Sequence, residues 1–181
     1  VVFEADFKVL VGTINAADGS GQTYSVEQIY DPGYDGDIHD IALLRLSKAV
    51  TLDNKAVATI ALNKDKAVPK LKTTATTMGW GATDPEANDY PDVLQKTTLP
   101  IAACEADDNT KEYLCAGGSS NRDACSGDSG GPLIIPLEGK TDQFIQIGIV
   151  SYSNQDVCGK LSAYTRVAQY QDWIAKTMKG K

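Results

Sequence analysis

Turn chemistry, more than any other feature, constrains how this chain can fold. Asp18-Gly19, Pro32-Gly33, Asp35-Gly36, Asp84-Pro85 and Glu138-Gly139 are dipeptides that reverse a chain, because glycine accepts positive φ and proline presets the preceding corner. The segments around them, FKVLVGTI, QTYSVEQIY, IALLRL, TTATTMGWG and QFIQIGIVSYS, cluster or alternate β-branched, aromatic and polar residues over strand lengths. Strands joined by turns rather than by helical crossovers predict an antiparallel all-β architecture, sandwich or barrel. Only the C-terminus differs. Val167, Tyr170, Ile174 and Met178 recur at helical spacing, and Lys176, Lys179 and Lys181 lie where a helix dipole favours cations. One terminal helix packed on the β body is expected. The polar stretch NKDKAVPKLK, residues 63–72, suits a surface linker.

Composition narrows the function classes. With 42% apolar and 23% charged residues the chain reads as globular rather than disordered. A net charge of −7 opposes association with nucleic-acid backbones and anionic membrane surfaces. The apolar runs of this sequence are broken well before the roughly eighteen residues of a membrane span. The four cysteines, Cys104, Cys115, Cys125 and Cys158, lack the paired short spacings of a zinc site and read as two disulfides. Paired in order, they close loops of about twelve and about thirty-four residues, worth on the order of 3 and 4 kcal/mol in the chain-entropy account. Disulfides imply an oxidising compartment and a secreted protein.

Chemistry concentrates in DACSGDSGGPL, residues 123–133. Small residues and glycines around a serine let backbone N–H groups converge, which is what an oxyanion forming on an attacked carbonyl requires. Ser129 is the candidate nucleophile, with the amides of Gly127 and Ser129 as donors. Taken alone, G-D-S-G is also an ordinary glycine-rich turn. The longer string, with a cysteine two residues before it, is far rarer.

That segment resembles the active-site stretch of the chymotrypsin-like (trypsin family) serine proteases. DIALLRL at 40–46, GWG at 79–81, LCAGG at 114–118, GIVSY at 148–152, YTRV at 164–167 and DWI at 172–174 agree in order and spacing, so the resemblance covers essentially the whole chain. It implies a double β-barrel with a C-terminal helix, the first barrel incomplete over residues 1–64 and the second over 65–181. It implies Ser129 as nucleophile, Asp40 as the carboxylate orienting a histidine, Asp128 as the partner of a free N-terminal ammonium, and bridges Cys104–Cys115 and Cys125–Cys158. Asp123 falls at the base of the primary specificity pocket, whose walls include Ser151, Tyr152, Ser153 and Ser162. A carboxylate there implies cleavage after Lys or Arg. Ser153 and Ser162 stand where trypsin-like relatives have glycines, and two hydroxymethyl groups narrow such a pocket and weaken the pull of Asp123. An extended substrate is expected to pair along Ser151 to Ser153.

The single histidine, His39, precedes Asp40 directly. In an extended segment adjacent side chains point to opposite sides, so His39 is expected to face solvent or an edge rather than serve as the base. No segment like the family's histidine-bearing TAAHC is present. The sequence therefore predicts the heavy chain of a two-chain protease whose light chain supplies the histidine and the free N-terminus, with protein substrates and protein protease inhibitors as further partners. The alternative is a catalytically inactive homologue that binds or regulates. Thr13-Ile14-Asn15 stands where calcium-binding relatives begin a carboxylate loop, so neither metal nor cofactor is expected. N-x-Ser/Thr acceptors are also lacking.

Overall fold

A computed structural model describes residues 7–84, 89–105, 109, 111–118, 123–140, 142–153 and 158–180. Residues 1–6, Pro85 of the expected Asp84-Pro85 turn, and Lys181 lie outside the described residues. Strands β1 (Lys8–Val11), β2 (Gln22–Tyr30) and β3 (Leu43–Leu46) form a three-stranded antiparallel sheet in the order β1-β2-β3. The second unit is built from β4 (Ala61–Leu62), β5 (Thr74–Gly79), β6 (Gln95–Ala102), β7 (Tyr113–Gly117), β8 (Pro132–Pro136), β9 (Phe144–Ser153) and β10 (Leu161–Arg166). Its order is β10-β7-β6-β5-β8-β9-β4, and β10 also pairs with β9, closing six strands into a barrel. All-β architecture follows as the turn chemistry predicts.

The barrel forms because alternate residues of its strands are apolar and point inward. In β6, Leu99 and Ile101 are buried while Lys96 and Thr98 are exposed. Leu99, Leu133, Ile147 and Tyr164 are fully buried and share one core with Ala75, Leu114 and Ala116. Each of the buried leucine and isoleucine side chains contributes roughly 1.5–3 kcal/mol of burial. In β4, Ala61 and Leu62 pair in parallel with Ile145 and Gln146 of β9, so the chain leaving the first sheet is stitched to the second barrel.

One local expectation differs from the structure. The apolar series from Val167 to Met178 is not one helix. Val167–Gln169 is a 3-10 turn, Tyr170 sits at φ −101° and ψ 8°, and helix α1 runs Gln171–Lys179. Tyr170 is held there by its hydroxyl, which donates to Glu112, while Met178 is 68% exposed and outside the packing face. The stretch 63–72 lies mostly exposed, as a surface linker does, and is anchored at its start. Asn63 is buried, and its amide nitrogen donates to the carbonyls of Asp65 and Val68 at 2.9 and 3.1 Å.

Ile174 of α1 packs with Ile41 and Tyr170. This cluster clamps the segment carrying Asp40 between the first sheet and the helix, a placement on which the site depends.

Candidate active site

The loop carrying Ser129 is a series of turns held by backbone amides. Asp128 N–H donates to Cys125 O, Gly131 N–H to Asp128 O, and Gly130 N–H to Val150 O, each at 2.8–2.9 Å. Among the described residues nothing accepts from the amides of Gly127 and Ser129, which stay available to a carbonyl oxygen. Gly127 has φ +94°, a conformation that side chains strain, and the Tyr90 ring lies against it. The Ser129 side chain is exposed.

Asp128 turns inward from that loop. Its two oxygens accept from Gly81 N–H at 2.8 Å and Cys125 N–H at 2.9 Å. The carboxylate that the resemblance assigns to an N-terminal ammonium is half-buried and doubly hydrogen-bonded to backbone amides. It faces a cavity of about 240 Å³ that it shares with Asp123.

Asp40 lies across a sequence distance of 111 residues from its partner Ser151, whose Oγ donates to Asp40 Oδ2 at 2.6 Å. Thr165 Oγ1 donates to the Asp40 backbone carbonyl at 2.7 Å. These bonds aim the carboxylate into a cavity of about 360 Å³ bounded by Asp37, Tyr113, Ser151 and Tyr152 as well. The Tyr113 hydroxyl donates to Asp37 O, and burial holds its ionisation above the ordinary tyrosine range. Asp37, three residues before Asp40, and Tyr113, in the strand beside LCAGG, were not foreseen as lining residues.

His39 is turned elsewhere. The segment is not extended at this point: His39 has φ +69° and its carbonyl accepts from Ile41 N–H at 2.8 Å, a tight turn. The ring meets Tyr170 edge-on at 6.1 Å, and Nδ1 lies 3.3 Å from Gly33 O. The sequence argument from strand alternation does not apply there; the turn and Tyr170 direct the ring.

Beside Ser129 lies a cavity of about 310 Å³ lined by Ser151, Tyr152, Ser153, Ser162, Cys158 and the 124–126 backbone corner. β9 and β10 pair with Ser153 opposite Ser162. Asp123 lies behind this wall and lines the neighbouring cavity with Asp128 instead. Its Oδ1 accepts from Ala124 N–H at 2.8 Å and Tyr164 Oη–H at 3.3 Å, and its Oδ2 from Ser162 Oγ at 2.8 Å. Burial pushes the Asp123 carboxyl up to about 6, against the opposing pull of the Ser162 hydrogen bond. Burial raises the Tyr164 hydroxyl too, followed by the charge of Asp123. Tyr164 was missed as a neighbour of Asp123, although it stands two residues from Ser162 and so shares its strand face. The bridges Cys104–Cys115 and Cys125–Cys158 are both formed, the second fixing one wall of the pocket.

The arrangement brings together an exposed hydroxyl, two amides that no described residue occupies, an adjoining cavity and a carboxylate, which are parts that acyl transfer uses once an imidazole joins them. The Trypsin family profile matches residues 1–174. Among curated proteins, CLIP domain-containing serine protease B10 of Anopheles gambiae is 37% identical over 174 residues, covering 87% of this chain and 46% of its own length. Trypsin I-P38 of Gallus gallus is 33% identical over 188 residues, covering 97% of this chain and 72% of its own. Among solved structures, a mutant of human heparin binding protein superposes with a TM-score of 0.82 at 24% identity, over 95% of this chain and 74% of that one.

Proposed function

The chain belongs to the trypsin family of serine proteases, and from that premise we propose that it acts as a secreted serine endopeptidase through an acyl-enzyme, with the base supplied from outside these 181 residues. The observation that carries this reading is the convergence of Ser129, the amides of Gly127 and Ser129, which no described residue occupies, and the adjoining cavity. Two disulfides support an oxidising compartment.

In the first half-reaction Ser129 Oγ forms a bond to the substrate carbonyl carbon as its proton passes to an imidazole. The carbonyl electron pair moves onto oxygen, where the Gly127 and Ser129 amides stabilise it. Collapse breaks the C–N bond, and the leaving amine takes the proton back. Water repeats the sequence on the ester and regenerates the serine.

Asp40, fixed by Ser151, is the acceptor for the imidazole N–H, and the cavity it faces has room for such a ring. His39 is held against Tyr170 and is not that imidazole. A light chain bearing a histidine is the reading these contacts support. Cleavage after Lys or Arg is what Asp123 alone supports, and it requires Ser162 to turn aside.

The second reading, an inactive homologue, rests on the same confinement of the only histidine. Removing the base from a triad lowers turnover roughly a millionfold. Intact mass of the denatured, purified protein together with fluorophosphonate labelling separates the two. A second, histidine-bearing peptide and label on Ser129 support the endopeptidase; a single unlabelled species sinks it.

A further inference from the structure

Ser151 and Tyr152 of β9 line two cavities at once, the one beside Ser129 and the one that Asp40 faces. Successive side chains of an extended peptide point to opposite sides. A substrate strand paired along Ser151 to Ser153 that sends one residue into the first cavity therefore turns the preceding residue toward the second. What that residue meets is set by the loop DPGYDGDIHD, residues 31–40, whose four carboxylates are differently engaged.

Asp31 and Asp35 serve the loop itself. Asp31 Oδ1 accepts from Gly33 N–H at 2.8 Å, and Asp35 Oδ1 accepts from the N–H groups of Asp37 and Ile38 at 3.0 and 2.9 Å. Asp40 is held by Ser151 and, in the endopeptidase reading, turns to an imidazole. Asp37 is left. It is exposed and lines the second cavity, and no described residue forms an ion pair with its carboxylate. Its backbone carbonyl is fixed by the Tyr113 hydroxyl, and the Tyr113 ring meets that of Tyr152 edge-on at 5.2 Å. Tyr113 is itself buried and acts as the post that holds Asp37 and Tyr152 in place. The rings presented to a ligand are those of Tyr34 and Tyr152, 57% and 38% exposed.

An accessible carboxylate beside two accessible aromatic faces complements an organic cation, which pairs with the first and is attracted by the ring quadrupole of the second. We propose that this second cavity takes an arginine or lysine side chain standing one residue before the one in the cavity beside Ser129. The cationic head lies on Asp37, and the stem runs along Tyr34 and Tyr152. This rests on the endopeptidase reading. Arginine suits the site well, because a planar guanidinium both pairs with a carboxylate and stacks on a tyrosine ring. A substrate carboxylate at the same position faces Asp37 and Asp40 and is repelled.

The test is equilibrium binding, which requires no base. Acetylated tripeptide amides Ala-X-Lys, with X as Arg, Lys, norleucine or Glu, are titrated by calorimetry into the purified protein carrying Ser129→Ala. Arg and Lys at X are expected to bind at least about fivefold more tightly than norleucine, and Glu more weakly than norleucine. Asp37→Asn is expected to bring Arg and Lys down to the level of norleucine. The peptide Arg-Ala-Lys, with its cation moved one place, is expected to match norleucine, since the net negative charge of the chain attracts both arginine peptides alike.

Equal binding of Arg and norleucine at X overturns the proposal, as does absence of binding by the Arg peptide up to ~10 mM. A preference that survives Asp37→Asn, or that Arg-Ala-Lys shares, overturns it too. Fluorophosphonate labelling of the protein with Ser129 intact keeps the two readings apart. Label on Ser129 without a preference at X defeats the second-cavity assignment alone. The expected preference without label defeats the hydrolase alone.

Discussion

The carboxylate of Asp128 and the backbone of Gly81 are in direct contact: Oδ1 accepts from the Gly81 amide at 2.8 Å, and a Cβ on Gly81 would lie 2.4 Å from the carboxylate carbon. Glycine is therefore required at 81 for space. Gly81→Ala is expected to push Asp128 out and to shift the amides of Gly127 and Ser129 that flank it in the chain. Displacements of about 1 Å cost on the order of a hundredfold in reactivity. The rate of fluorophosphonate labelling at Ser129 should fall by that order, while far-ultraviolet circular dichroism keeps its β-sheet form.

Thr165 is 1% exposed, and its hydroxyl is the partner of the Asp40 carbonyl. Thr165→Val keeps the shape and strands a buried acceptor. A loss of about 1–3 kcal/mol is expected in urea unfolding. An unchanged midpoint would show that water replaces the hydroxyl.

Asp123 makes stability depend on pH. Its folded value of about 6 stands above the unfolded 3.8, so between these values the folded state binds more protons than the unfolded one. Stability from this group is present below about pH 4 and is lost as pH rises through about 6. Asp123→Asn has no such window. Melting temperatures of the parent and Asp123→Asn should diverge between pH 4 and 6, with the parent falling relative to the variant.

Leu133 and Met178 are both apolar, but Leu133 is fully buried and Met178 is 68% exposed. Leu133→Ala is expected to destabilise by about 2–5 kcal/mol, whereas Met178→Ala should change stability by less than about 0.5 kcal/mol. Chemical denaturation of the two variants side by side reads the difference. Equal losses would contradict the packing of α1.

Much of the architecture was legible because it is written in short-range chemistry. QTYSVEQIY coincides with β2, and QFIQIGIVSYS contains β9, since alternation and flanking turns act within a few residues. Strands β6 and β7 were not singled out. QKTTLPIA alternates in the structure but has a polar first half and a proline in its sequence, and YLCAG is buried throughout, so neither stands out as a half-exposed strand. The helix start was misplaced because Tyr170 stays apolar in pattern while its hydroxyl is tied to Glu112, a contact no local window contains.

The sequence by itself determined the fold class, the family and the identity of the chemically apt groups, because turn residues, strand alternation and the GDSGGPL string specify local backbone and side-chain chemistry. Tertiary structure alone decided how those groups are used. Pairing of β9 with β10 sets Ser153 against Ser162, and the second hydroxyl then covers Asp123. Contact with Tyr170 turns His39 from the cleft. Each of these outcomes depends on atoms distant in the chain meeting within hydrogen-bond or van der Waals range, a condition set by packing.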